Sequence, residues 1–128
     1  MSEENVETLR AVYGEWARGN FNAGSDLFAR DAVFETFVLS STVLLGPAEM
    51  ASYLRELFTE FEDYRMEARE FAGTEDTVVV TEHHSAHGKL SGVETEMTLF
   101  AVWTFRDGLV SAVRWGPDRP KSPSRLSE

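Results

Sequence analysis

The sequence predicts an α+β domain, and three observations carry that expectation. Two apolar stripes at helical spacing lie in the first half, over residues 2–18 and 46–61. Long runs of alternating residues fill residues 65–115. The order is helices first and strands mainly after, which does not fit repeating βαβ units.

The first helix is expected from Ser2 or Asn5 to Arg18, with Val6, Leu9, Val12, Tyr13 and Trp16 on one face. Gly19 supplies its stop. A short second helix is expected over Ala23–Ala29, with Leu27 and Phe28 turned inward. Ala32–Val38 reads as a strand and Thr42–Leu45 as a short edge segment. Gly46-Pro47 opens the third helix, where proline suits the first helical position. Met50, Tyr53, Leu54, Leu57, Phe58 and Phe61 form its buried stripe. Strands follow over Arg65–Ala72, Thr77–His87, Val93–Arg106 and Leu109–Trp115. Asp107-Gly108 is a hairpin turn signal.

The chain has 128 residues, enough for one domain with a real core. Residues 1–118 are read as that domain. Residues 119–128 are read as a polar tail that continues the Pro-rich run of Pro117, Pro120 and Pro123. A formal charge of -10 argues against nucleic acid and against an anionic membrane surface. The absence of cysteine removes disulfides, thiolate nucleophiles and Cys-based metal sites, and fits a reducing cytoplasm. The start, Met1-Ser2-Glu3-Glu4-Asn5, lacks the basic and apolar parts of a secretory signal, so the expected location is cytoplasmic.

The run Glu4-Asn5-Val6, Tyr13-x-x-Trp16-x-x-Gly19-Asn20, Leu27-Phe28-Ala29-x-Asp31-Ala32, Gly46-Pro47 and Trp103-Thr104-Phe105-Arg106-Asp107-Gly108 resembles the SnoaL-like branch of the nuclear transport factor two-like superfamily. The resemblance covers about residues 4 to 118. It implies a cone: a strongly curved, mainly antiparallel sheet wrapped around three helices, with an apolar pocket at the open end. It also implies a homodimer through the outer sheet face. Met97, Leu99, Ala101, Trp103 and Phe105 alternate toward the helices, which leaves Phe100 and Val102 facing outward for such an interface.

The relatives' catalytic groups are replaced here. Ketosteroid isomerases place a Tyr, a carboxylate and an Asp at positions that align with Val12, Thr36 and Ala101. Tyr13 neighbours the first of these, but one residue turns it about 100° around the helix. The Arg-x-Asp pair of limonene epoxide hydrolases reads His83-x-Ser85, and the last-strand Asp of those enzymes and of SnoaL-type cyclases aligns with Trp115. Trp115 is therefore expected to make the pocket more apolar.

Histidine is the usual acid–base residue near neutral pH. All three lie in Glu82-His83-His84-Ser85-Ala86-His87. Alignment on the isomerases puts Val78, Val80, Glu82, His84 and Ala86 inside; alignment on the epoxide hydrolases puts Val79, Thr81, His83, Ser85 and His87 inside. Core positions for Val78 and Val80 favour the first. It makes His84 the candidate acid or base and Glu82 its orienting partner. Solvated histidines at a strand rim are the plain alternative. His83 and His87 are about 13 Å apart along a strand and cannot share an ion, so no metal is expected.

Tyr13, Trp16, Phe34, Thr36, Tyr53, Phe58, Trp103 and Trp115 are the candidate pocket wall, with Tyr53, Thr36 or Trp103 as orienting donors. Glu35 is placed on the solvated face. The expected ligand is a small hydrophobic molecule, and no cofactor is implied. Cofactor-free acid–base chemistry, simple ligand binding, and a homodimeric interaction domain with a self-filled cone all fit these residues.

Overall fold

A computed structural model describes residues 2–22, 24–36, 41–74, 76–87 and 94–118. Residues 119–128, read above as the tail, lie outside the described residues, as do Phe37 and Val38 at the end of the first expected strand.

Helix α1 spans Ser2–Ala17. Gly19, at φ 86°, ends it in the left-handed region. Its N–H reaches the Trp16 carbonyl at 2.9 Å and the Asn20 N–H reaches Glu15 at 3.0 Å. That pair of bonds satisfies the last helical carbonyls as a Schellman turn does.

The expected second helix is not formed. A single 3-10 turn covers Ser25–Leu27, and strand β1 takes Phe28–Thr36. Gly24 enters that turn at φ 78°, which breaks helical continuity, and Phe28 pairs with Val110 instead. Sheet pairing has overridden the local apolar pattern. Among the described residues the domain therefore has two α-helices.

Strand β2 is Thr42–Leu45 and helix α2 is Gly46–Glu60. The Glu49 carboxylate accepts the Leu45 N–H at 2.9 Å, which caps the start of α2. Strands β3 (Glu62–Gly73), β4 (Thr77–His87), β5 (Glu94–Arg106) and β6 (Leu109–Gly116) complete the chain. Asp107 and Gly108 both adopt positive φ, 54° and 80°, as a primed hairpin turn requires.

The six strands form one mixed sheet in the order β2-β1-β6-β5-β4-β3. Only β1 and β6 run parallel. Helix α1 packs on β3 and β4, and α2 packs on β1, β2 and β3. Trp16, Trp103, Phe34, Leu9 and Leu57 are among the largest fully buried side chains. Burial of each such apolar group stabilises the fold by about 1.5–3 kcal/mol. Glu82 sits among them with no exposed surface, which is rare for a carboxylate.

Candidate active site

Strand β4 turns Val78, Val80, Glu82, His84 and Ala86 to the inner face; all are buried. His83 and His87 face outward. There His83 Nε2 lies 2.8 Å from Glu96 Oε1, and His87 Nε2 lies 3.6 Å from Glu94 Oε2. Such surface pairs contribute little.

Three groups converge on the Glu82 carboxylate. Tyr13, from α1, donates its hydroxyl to Oε2. Trp115, from β6, donates its indole N–H to both oxygens, at 3.0 and 2.9 Å. His84 Nε2 lies 2.7 Å from Oε1. Behind them, the Tyr13 oxygen accepts the Trp103 indole N–H at 3.0 Å. These bonds offset the several kcal/mol that an unsolvated carboxylate costs. Among the described residues no Lys or Arg pairs with Glu82.

The far side of the imidazole meets the Tyr64 hydroxyl, 2.5 Å from Nδ1. With Glu82 ionised, Nε2 carries a proton toward it. Nδ1 then either accepts from the Tyr64 hydroxyl or, in the imidazolium, donates to it. Burial first, and then the charge of Glu82, push the Tyr64 phenol well above its ordinary range. Burial, followed by the charge of Glu82 and the hydrogen bond to it, does the same to Tyr13. Both phenols therefore keep their protons at neutral pH.

Tyr64 and His84 form one wall of a cavity of about 100 Å³, completed by Phe61, Ser85, Ala86, Thr95 and Met97. The other expected wall residues are dispersed. Thr36 and Trp115 border a separate groove of about 570 Å³, with Glu35, Thr42, Val43 and Arg114. Tyr53 lines a third opening with Leu44 and Glu49, and its hydroxyl lies 3.3 Å from Thr36 Oγ1. Tyr13 lines a fourth, between α1 and β3. Trp16, Phe34 and Trp103 line none of these four openings and pack as core, no more than 1% exposed. Phe58 is half-buried and packs against Tyr64 with ring centroids 5.0 Å apart and planes tilted by 57°.

Tyr13 lies on the buried face beside Val12, as its place in the α1 stripe implies, and bonds Glu82. One expectation is corrected here. Trp115 adds a polar donor to the interior rather than an apolar plug. The hydroxyl that touches His84 belongs to Tyr64, which was not among the expected site residues; the Tyr53 and Thr36 hydroxyls, expected as donors to a ligand, lie against each other. The strand expected from Arg65 begins at Glu62 and so includes Tyr64. The inward alternation Tyr64-x-Met66-x-Ala68 is the signal that marks it. Glu35 is exposed, as expected. Among the described residues, no group of three His, Asp or Glu side chains is placed to hold a metal ion, and no helix is long and apolar enough to cross a membrane.

Solved structures share this architecture. A protein of Jannaschia sp. assigned as a SnoaL-like polyketide cyclase superposes with a TM-score of 0.77 at 18% identity, covering 91% of this chain and 87% of its own. TerC, co-crystallised with polyporic acid, gives 0.73 at 22% identity, covering 89% and 91%. A hypothetical protein of Catenulispora acidiphila with a ketosteroid isomerase-like fold, in complex with trimethylamine, gives 0.75 at 15% identity, covering 86% and 84%. At these identities the likeness is one of fold. No curated protein matches the chain in sequence. The SnoaL-like domain family matches residues 9–113, most of the chain. The chain therefore belongs to the SnoaL-like domain family, within the nuclear transport factor two-like fold.

Proposed function

We propose that this domain holds a small hydrophobic molecule against the Tyr64–His84 wall and moves a proton to or from it without a cofactor. Isomerisation, cyclisation and dehydration are the reaction types that such chemistry serves. The single observation behind this reading is the order Glu82–His84–Tyr64, which ends at a cavity wall. Glu82 fixes the Nε2 proton and the ring orientation, so it is a positioning residue. His84 Nδ1 is the acid or base. The Tyr64 hydroxyl bridges the ring to the cavity and, when Nδ1 is protonated, is free to donate toward a substrate oxygen.

Proton transfer at carbon can be followed without knowing the product. A panel of small enolisable ketones in deuterated water should show protein-dependent loss of α-proton NMR signals. His84→Ala should abolish that exchange, and Tyr64→Phe should slow it about 10²-fold or more. Exchange that persists in His84→Ala at the wild-type rate rules the assignment out.

A second reading is a non-catalytic binding or interaction module. The interior filled by Trp16, Trp103 and Phe34 favours it. It predicts ligand-induced stabilisation with the ligand recovered unchanged. In either case a homodimer through the outer sheet face is supported by half-buried Phe100 and Val102 on β5. The acidic, cysteine-free sequence supports a cytoplasmic location. Light scattering at several concentrations tests the dimer.

A further inference from the structure

The Tyr64–His84 cavity combines three features that select for charge. Its walls carry aromatic rings: Phe61 and Tyr64 lie 5.8 Å apart between centroids, and the His84 ring meets Tyr64 edge-on at 5.7 Å. Among the described residues its lining holds no Lys or Arg. The Glu82 carboxylate stands directly behind His84, whose Nε2 lies 2.7 Å from it; with that ring neutral, no Lys or Arg among the described residues offsets its charge. In a water-poor core that charge is weakly screened. Burial, and after it the Glu82 charge, raise the Tyr64 phenol at the wall above its ordinary range. Aromatic faces backed by a buried negative charge attract compact organic cations. A cavity of about 100 Å³ limits the group to a few heavy atoms. The net charge of -10 draws cations toward the protein from solution.

We propose that this cavity is a site for a compact methylated ammonium group, seated on the rings of Phe61 and Tyr64 with its charge facing the Glu82–His84 pair. The inference rests on the same cavity as the proposed function and names the ligand class for it. It does not require turnover. Such a group can be a free small amine or the charged end of a larger molecule.

The test compares trimethylammonium chloride with tert-butanol, which has a similar shape and no charge, by NMR titration of the wild-type protein at neutral pH. Trimethylammonium should bind about tenfold more tightly or better. The shifts should map to His84, Tyr64 and Phe61. Choline is the third probe: equal affinity identifies the methylammonium head as the recognised group, and a marked gain identifies the end of a larger molecule. Glu82→Gln should bring the cation-to-alcohol ratio near one. If that variant does not fold, the wild-type ratio still decides. Equal affinities, preference for tert-butanol, or no binding by either probe overturn the inference. Binding of tert-butanol alone leaves the acid–base reading standing. Cation binding without any proton exchange in the ketone panel leaves the inference standing and removes the acid–base reading.

Discussion

The indole N–H of Trp115 is shared by both carboxylate oxygens of Glu82, at 3.0 and 2.9 Å. Strand β6 thereby holds in place a charge presented by β4, across the intervening strand β5. Trp115→Phe keeps a ring but removes this donor. It should cost about 1–3 kcal/mol of stability in urea denaturation. A loss below about 0.5 kcal/mol would mean that Tyr13 and His84 satisfy the carboxylate alone.

Two core tryptophans form a matched pair. Trp103 donates its N–H to Tyr13, whereas the buried Trp16 N–H has no acceptor among the described residues. Trp103→Phe and Trp16→Phe remove the same volume from similar surroundings. The first should be more destabilising by about 1–2 kcal/mol. Equal losses in denaturant titrations would show that the Trp103–Tyr13 bond contributes nothing net.

The retained phenol protons set the alkaline limit of the fold. Unfolded tyrosines ionise near pH 10. Tyr13 and Tyr64 hold their protons to higher pH in the native state, mainly through burial. Above about pH 10 the unfolded chain has therefore lost protons that the native chain keeps, and stability falls as pH rises. Below that pH this contribution is fully present. Absorbance at 295 nm should show the Tyr13 and Tyr64 phenolates appearing only together with unfolding. Their appearance in a protein with intact near-UV dichroism would contradict the burial assigned to them.

Glu82→Leu removes the acceptor for three donors at once. Tyr13, Trp115 and His84 would each lose a partner in the core. The expected cost is about 3–5 kcal/mol, comparable to breaking a buried ion pair. Tyr64→Phe touches only the far side of the imidazole and should cost about 1 kcal/mol. Thermal and denaturant melts of the two variants check the order.

Much of this arrangement was legible in the chain. The Val78-x-Val80 pair set the parity of β4, and parity alone placed Glu82 and His84 inside. The Asp107-Gly108 turn fixed the last hairpin. The apolar run Leu27-Phe28-Ala29 misled, because its fate depended on pairing with β6 rather than on its own pattern. The roles of Tyr13 and Trp115 were also hidden. Each depends on a hydrogen bond across 33 or more positions of sequence, and alignment to relatives with other side chains gave no such pairing. Tyr64 was hidden because β3 begins at Glu62, with one residue between it and the end of α2, rather than at Arg65.

In the proposed function His84, and not His83 or His87, faces the ligand. An NMR titration of the three imidazoles with the small hydrophobic and cationic probes tests it most directly. Only the His84 ring signals should move on ligand addition, and Tyr64→Phe should alter that response. Ligand-dependent shifts confined to His83 or His87, or none at any histidine while a ligand binds, would contradict it.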